Sequence, residues 1–500
     1  LPEADAVVNP HRVDDPSPFK DVCGVFVAFK VVCATEGKAP EELLCDYGDL
    51  VALGTVADVM PLINENRTVV REGVNMIANG GRRGLTALLR AASIDEDKLT
   101  ASRLAFGIAP RINAAGRMGD AARALELLLT DDDEVAEGLA SLLNNENIRR
   151  QGLEKQIFTE AVNIVEKNGY KHNRIIVVAG EGWHGGVIGI VASRLADKYG
   201  RPAIVLSTSD GIANGSARSI SGFSIYDALC ECSYILTKFG GHEMAAGITL
   251  YESSIDSFRR AINEFAAKKP KTFSEVRLDC KLNPVALSVD LAEELKALEP
   301  FGVGNPTPVF GIFGVTLQKI SSVGSGKHLR LTFAKGETSF SAMLFGTMAS
   351  AFAYNVGDVV DLAVNIDTNL FGGNLSLTVS IKEMRISRAD EEKIISDIEL
   401  YEAFKSGEFA DFDDIIPTRE EVGIVYKALL SSPASIDKII TSNLLGIGYA
   451  KALIAAEALC ELKLCTFFDV EGTPTLKVTA SGVKVNLSDA QILKRLRGEN

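Results

Sequence analysis

Residues 174–207 read RIIVVAGEGWHGGVIGIVASRLADKYGRPAIVLS. The opening RIIVVAG is an apolar run closed by glycine, the pattern of a buried strand. From Gly185 to Gly200 the apolar positions recur at helical spacing and the segment stops on a glycine, which reads as an amphipathic helix. A second apolar run, PAIVLS at 202–207, follows at once. Strand, loop, helix and strand in this order predict an α/β lobe. The loop GEGWHGG (180–186) places glycines ahead of the helix N-terminus, where unpaired backbone N–H groups favour an anion.

Working outward, the chain from about 132 to 168 is one long polar helical pattern, acidic at its start and glycine-terminated, which reads as a connector between lobes. Before it, short apolar runs alternate with helical patterns. ADAVVNP (4–10) reads as a strand, FVAFKVVCAT (26–35) as a buried helix, and LVALGTVADV (50–59) as a strand or strand–helix junction, so another α/β lobe is expected. After it come a helix at about 224–237, the stretch KFGGHEMAAG (238–247) and a strand AAGITL. KKPKTF (268–273) has the composition of a linker. Beyond it, VRLDCKL, VFGIFGVTLQKISSVG, HLRLTFAKG, TSFSAMLFG, VVDLAVNID and NLSLTVSIKEMRI are strands at regular spacing, the signature of a small β-barrel of the OB type. The tail combines helical patterns (EEVGIVYKALL, SIDKII, YAKALIAAEALCELKL) with a hairpin (CTFFDV, TLKVT), an order resembling a winged helix. The expected fold class is therefore α/β: two α/β lobes joined by a long helix, then an OB-fold barrel, then a small α+β winged-helix-like tail. The expected division is 1–131, 132–169 (connecting helix), 170–268, 274–387 and 388–500.

A hydrophobic fraction of 46% with 24% charged residues describes a globular chain with ample core. Its longest apolar stretch, LVALGTVADVMPLI, is interrupted by Asp58 and is too short to span a bilayer. Eight scattered cysteines lack zinc-site spacing, and no leader pattern opens the chain, so a reduced, cytoplasmic setting is expected. The net charge of −14 argues against coating nucleic acid through bulk charge, yet permits a local basic channel.

In KFGGHEMAAG, paired glycines let backbone amides approach a ligand, and His242 offers a donor to phosphate, a metal ligand or a proton carrier. A helix cap followed by a structural histidine explains the same residues. Local pattern leaves both readings open.

Taken together, GTVADVMPL (54–62), NENR (64–67), APRINAAGRMGDA (109–121), AGEGWHGGVIGIVASRL (179–195), GSARS (215–219), KFGGHEMAAG and PFGVGNPTPVF (300–310) resemble the RecJ single-strand-specific exonucleases of the DHH phosphoesterase superfamily. The resemblance is dense to about residue 385. It implies 5′-to-3′ hydrolysis of single-stranded DNA in repair and recombination, with manganese or magnesium in a two-metal site. It makes 1–131 the C-terminal part of a DHH domain and 170–268 the DHH-associated domain. By resemblance Asp58 is a metal ligand, on a carboxylate expected at the end of an apolar strand. Arg111 and Asn113, expected in a loop with Arg117, contact phosphate, as do Ser216 and Arg218 on alternate positions of a strand. Gly240 and Gly241 cradle a phosphate while His242 hydrogen-bonds the scissile or a neighbouring one. Trp183 is read as sealing the lobe, and His184 stands open between loop structure and substrate contact. Phe301, Phe310, Phe313, His328 and Phe333 are candidates for base stacking, with Lys327 and Arg330 beside them.

The family's earlier Asp-x-Asp pair, next aspartate and Asp-His-His signature do not occur in these 500 residues. The expectation is that they lie upstream of Leu1, leaving a truncated chain with an incomplete metal site, because Asp58 alone cannot hold two ions. Single-stranded DNA is the expected partner, with a single-strand-binding protein and a helicase as candidates, no membrane, and a monomer as default. Two alternatives stand beside this reading. One is a non-catalytic strand-binding scaffold; the other is a phosphodiesterase for short oligonucleotides or cyclic dinucleotides, against which the barrel counts.

Overall fold

The computed structural model describes residues 4–118, 120–271, 275–371, 373–408, 411–431, 434–435, 438, 446–470, 473–479 and 485–499. The chain forms two compact units, 1–273 with 296–307, and 274–295 with 308–500.

The first unit opens with helices α1 (Gly24–Glu36), α2 (Pro40–Ala57), α3 (Asn64–Ala78) and α4 (Arg83–Ala91). A π-helical turn, Leu104–Ile108, then runs into α5 (Ala109–Met118), followed by α6 (Ala122–Leu129). Leu88, Leu89, Leu104, Leu127 and Leu143 are fully buried in its core. The mixed α/β class holds, with one correction: residues 4–131 carry helices alone among the described residues. LVALGTVADV continues α2, which Pro40 starts and the Glu42 carboxylate caps by accepting the Ala39 N–H. An apolar run buried on several sides has no period that separates strand from helix. ADAVVNP is irregular, with no neighbouring strand among the described residues to pair its backbone.

The connector is α7 (Asp133–Lys167), capped by Asp132, which accepts from the Glu134 and Val135 N–H groups. Its N-terminal half belongs to the first core (Ala136, Ala140, Leu143), its C-terminal half to the next (Ile157, Ala161, Val165). A five-stranded sheet follows, built from β1 (Ile176–Glu181), β2 (Ala203–Ser209), β3 (Ile212–Arg218), β4 (Lys238–His242) and β5 (Ala245–Tyr251), in the order β1-β2-β3-β5-β4. Strands β1 and β2 are parallel and joined by α8 (Gly185–Tyr199). The β2–β3 hairpin turns on Asp210 and Gly211, at φ 52° and 76°, the conformation Asp-Gly is suited to. Helices α9 (Ile225–Glu231) and α10 (Ile255–Ala267) cover one face through Ile225, Leu229, Phe258 and Ile262. The helix expected to 237 ends at Glu231, so the Gly-Gly-His stretch is an edge strand. KKPKTF reaches past the described residues at 272–273.

In the second unit β6 (Cys280–Lys281), α11 (Val289–Leu295), β7 (Phe310–Val323), β8 (His328–Lys335), β9 (Thr338–Leu344), β10 (Val359–Phe371) and β11 (Asn374–Ile386) form a barrel closed by β10 pairing with β7. The third barrel strand, β9, lies beside the fifth, β11, which is OB topology. The tail holds α12 (Glu391–Ser406), α13 (Arg419–Ser431), β12 (Ala434–Ser435), α14 (Tyr449–Glu461), β13 (Cys465–Val470), β14 (Thr473–Val478) and α15 (Gln491–Leu496). CTFFDV and TLKVT pair as the expected antiparallel hairpin. SIDKII lies largely outside the described residues. No helix among the described residues is long and apolar enough to cross a membrane.

Candidate functional site

Strand pairing assembles the site. Gly240, Gly247 and Ser216 share one row across the sheet; His242, Ala245 and Arg218 share the row two residues on, and all six lie on the same face. The opposite face carries Ala217, Ala246 and Ile248 into the core under α9 and α10. On the shared face, α8 covers β1 and β2 through Val187, Ile188 and Val191 against Val178 and Val205, and reaches β3, where a Cβ on Gly189 would stand 3.1 Å from Ser216 Oγ and from Arg218 Nη2. Beyond that edge the face of β5 and β4 begins with glycine, alanine and histidine, and Gly240, Gly247 and His242 are exposed while Ser216 and Arg218 are half-buried.

The two glycines of the motif differ. A Cβ on Gly241, at φ 155°, would stand 2.2 Å from the Ala245 carbonyl oxygen, whereas one on Gly240 would meet nothing within 4 Å. Gly241 is thus demanded by the hairpin, and Gly240 keeps bare backbone on an open face. His242 Nδ1 accepts the Met244 N–H at 3.3 Å, which puts its proton on Nε2, free to donate outward.

Arg218 is held in place by donating to Ser216 Oγ at 2.9 Å and to the Ala217 carbonyl at 2.8 Å. Burial, and after it the charge on Arg117, lowers its guanidinium pKa from the ordinary value. Arg117 donates to the Gly186 carbonyl at 3.3 Å, so the end of α5 meets the first turn of α8. Neither arginine has a carboxylate partner among the described residues. Two adjacent unneutralised guanidiniums form a site that an anion relieves. His184 is the N-cap of α8, its Nδ1 accepting from Gly186 N–H at 3.1 Å, and its loop-structural role is what the geometry displays.

The loop expected for Arg111, Asn113 and Arg117 is helix α5, because the preceding π turn carries the helical path through the glycine. Asn113 and Arg117 are exposed and four residues apart, on one helix face. Arg111 turns away: its Nε donates to Asn144 of α7 at 2.9 Å and its Nη1 to the Gly107 carbonyl, and burial lowers its pKa. It braces the connector and stands apart from the arginine pair. Trp183 is 6% exposed, packed over Gly180 and donating to Glu160 at 2.8 Å, a lobe seal as read.

Asp58 ends helix α2 rather than a strand, as its C-cap, and is exposed. Val59 follows at φ 57°, a conformation that β-branched residues avoid. The turn is clasped from outside: Leu62 N–H donates to the Val303 carbonyl at 2.6 Å, and Arg67 donates to the carbonyls of Ala297, Leu298 and Glu299. Three of the sequence motifs therefore meet at 58–67 and 296–305. Among the described residues no three of His, Cys, Asp and Glu converge as a metal site, so Asp58 offers a single carboxylate and these residues do not complete a divalent-cation centre.

In the barrel, Phe333 and Phe310 are buried core, so neither reaches a base. Phe301 lies in the other unit, within 296–307. Phe313 lies under Lys281 at 5.4 Å, and His328 packs edge-on against Phe345, which is 54% exposed and which sequence reasoning missed.

Residues 172–268 match the family described as the DHHA1 domain, and 278–383 the RecJ OB domain. The single-stranded-DNA-specific exonuclease RecJ of Escherichia coli is 35% identical over 407 residues, spanning 76% of this chain and 70% of that protein. The chain belongs to the RecJ family. RecJ of Bacillus subtilis is also 35% identical, over 395 residues and 77% of this chain, but this chain spans about half of that relative, 49%. The crystal structure of RecJ in complex with Mn2+ from Thermus thermophilus aligns with a TM-score of 0.66 at 32% identity, covering 75% of this chain and 55% of that one. Its Mg2+ counterpart aligns at 0.65.

Proposed function

We propose that this chain is the strand-handling part of a RecJ-type, divalent-metal-dependent exonuclease that removes nucleotides from the 5′ end of single-stranded DNA. The observation that carries the reading is the edge where α8 gives way to bare sheet: Ser216 and Arg218 against Gly189 of α8, His242 beside the bare Gly240–Gly247 pair, and Arg117 reaching the first turn of α8 from α5. Arg218 and Arg117 would grip a phosphate, Ser216 would orient Arg218, and His242 Nε2 would donate to a neighbouring phosphate oxygen. Gly240 and Gly247 admit the sugar–phosphate chain against the backbone. Asn113 extends the same grip, while Arg111 is reassigned to bracing. Asp58 is the candidate metal ligand, and the described residues do not complete an ion site around it.

The proposed division keeps 1–131 as the C-terminal part of the DHH domain, 132–169 as connector, 170–268 as the DHH-associated domain, 274–387 as the OB-fold and 388–500 as the winged-helix-like tail. Manganese as the working metal, a role in repair and recombination, a single-strand-binding protein and a helicase as partners, a monomeric state and a cytoplasmic setting belong to the same proposal.

The test is anisotropy of labelled single-stranded and duplex DNA with this chain. It is joined to a nucleotide-release assay on the product of the open reading frame that encodes the chain, with manganese, beside Asp58→Ala and His242→Ala. Preferential single-strand binding that Arg218→Ala abolishes, with 5′ release lost in both other variants, is expected. Strand binding without release under any divalent metal would replace the enzyme by a strand-binding scaffold.

A further inference from the structure

The open face does not end at the Gly240–Gly247 pair. On the side away from Arg218, the next row on the same face is Lys238, Thr249 and Asn214, and beyond it Tyr251 stands opposite Ile212. Rows on one face are about 7 Å apart along the strands. Lys238 is exposed and has no ion-pair partner among the described residues. Thr249 Oγ1 donates to Asn214 Oδ1 at 2.9 Å, which fixes the Asn214 amide and leaves its N–H groups without an acceptor there. Tyr251 is 57% exposed, the one large aromatic on this side of the three strands. None of the face positions of β3, β4 and β5 is acidic: they read Ile212, Asn214, Ser216 and Arg218; Lys238, Gly240 and His242; Ala245, Gly247, Thr249 and Tyr251. The carboxylates Asp210, Glu243 and Glu252 sit only at the bordering turns.

We infer that this row is a second station for single-stranded DNA, in which Lys238 and the Asn214 amide hold a phosphodiester downstream of the one at Arg218 and Ser216, and Tyr251 stacks on a following base. A cation-and-amide face free of acids, in a chain of net charge −14, is complementary to a polyanion. The Gly240–Gly247 window between the stations leaves room for the sugar that links them. An aromatic end-stop serves any base, since every base offers a π-face. The inference rests on the reading of the Arg218 site as phosphate-binding and extends it by one row.

The experiment measures binding of the full chain to two probes, a 5′-phosphorylated thymidine dinucleotide and a long 5′-phosphorylated oligothymidylate, across a salt series. Lys238→Gln is expected to weaken the long probe and reduce its log–log salt slope by about 0.7, one phosphate contact on a single strand, with the dinucleotide unchanged. Tyr251→Ala is expected to weaken the long probe by about fivefold or more, with Tyr251→Phe restoring it. If Arg218→Gln weakens both probes while Lys238→Gln and Tyr251→Ala change neither, the second station is overturned and the first stands. If Arg218→Gln changes neither probe, the phosphate reading fails and this inference fails with it.

Discussion

Gly241 lies against Ala245 so closely that any Cβ on Gly241 would stand 2.2 Å from the Ala245 carbonyl oxygen, with the Ala246 Cα at 2.5 Å. Its neighbour Gly240 has open space where a side chain would go. The two glycines of one motif therefore serve different ends. Gly241→Ala is expected to destabilise the chain by about 1–3 kcal/mol through strain at the hairpin. Gly240→Ala is expected to leave the melting temperature unchanged or slightly higher, because the unfolded chain loses freedom, yet to weaken single-strand binding. Thermal melts alongside anisotropy separate the two. Equal loss of stability in both variants would remove the case for an open platform.

Asp58 places a carboxylate at the C-terminal end of α2, where the helix dipole is negative, and Val59 follows at φ 57°. Both are costs that the fold does not need. Asp58→Asn is expected to keep or raise stability, by about 0.3–1 kcal/mol. Val59→Gly is expected to raise it by relieving the left-handed valine. In the product of the encoding open reading frame, Asp58→Asn is expected to abolish nucleotide release while the melting temperature holds. A fall in melting temperature that matches the fall in activity would make Asp58 a structural cap.

Much of the fold is legible in the chain. The βαβ unit, the connector and the barrel each carry a clear period with glycine punctuation, and GSARS alternates so that Ser216 and Arg218 must share a face. The failures have local causes. Local pattern puts Asp58 on a strand because an apolar run buried on all sides has lost the polar face that marks a helix. It puts the Arg111 segment in a loop because glycine and asparagine mimic loop composition. In the fold, a π turn carries the helix through, and Arg111 is taken up by Asn144, thirty-three residues away. The clasp of Arg67 on carbonyls 297–299 spans more than two hundred residues and has no signal in local pattern. The β2–β3 hairpin, by contrast, does carry a local signal, Asp210-Gly211 between two apolar runs.

The cysteines divide by environment. Burial, and after it the charges of Glu231 and Glu264, pushes the Cys232 thiol up to about 11; burial alone does the same for Cys465, and Cys460 rises to about 12. The thiolate is the reactive form, so at pH 8 these three are almost wholly protonated and inert. Iodoacetamide at pH 8 is expected to label the exposed Cys45, Cys230 and Cys280 first. Cys232, Cys465 and Cys460 follow only as the pH approaches their raised values or the chain unfolds. Peptide mass spectrometry across a pH series reads the order, and early labelling of Cys232 would contradict its buried placement.

Arg117 and Arg218 bring two positive charges together with no carboxylate partner among the described residues, so the pair is repulsive until an anion arrives. In an anion-poor buffer Arg117→Ala is expected to be at least as stable as the parent chain, because the mutation removes a like charge from beside a half-buried guanidinium. Inorganic phosphate, as a ligand of the folded site, is expected to raise the parent's melting temperature with concentration. The same titration is expected to shift Arg117→Ala and Arg218→Gln much less, each having lost charge-assisted hydrogen bonds worth about 1.5–3 kcal/mol to the anion. The double variant is expected to lose little more than either single one, since both arginines act on one ligand and their effects do not add. Arg218→Lys separates charge from shape: a lysine keeps the charge but cannot hold Ser216 and a phosphate oxygen with one planar fork. If Arg218→Lys responds to phosphate as the parent does, the site reads charge alone, and the ordered bonding of Arg218 to Ser216 has no part in anion recognition.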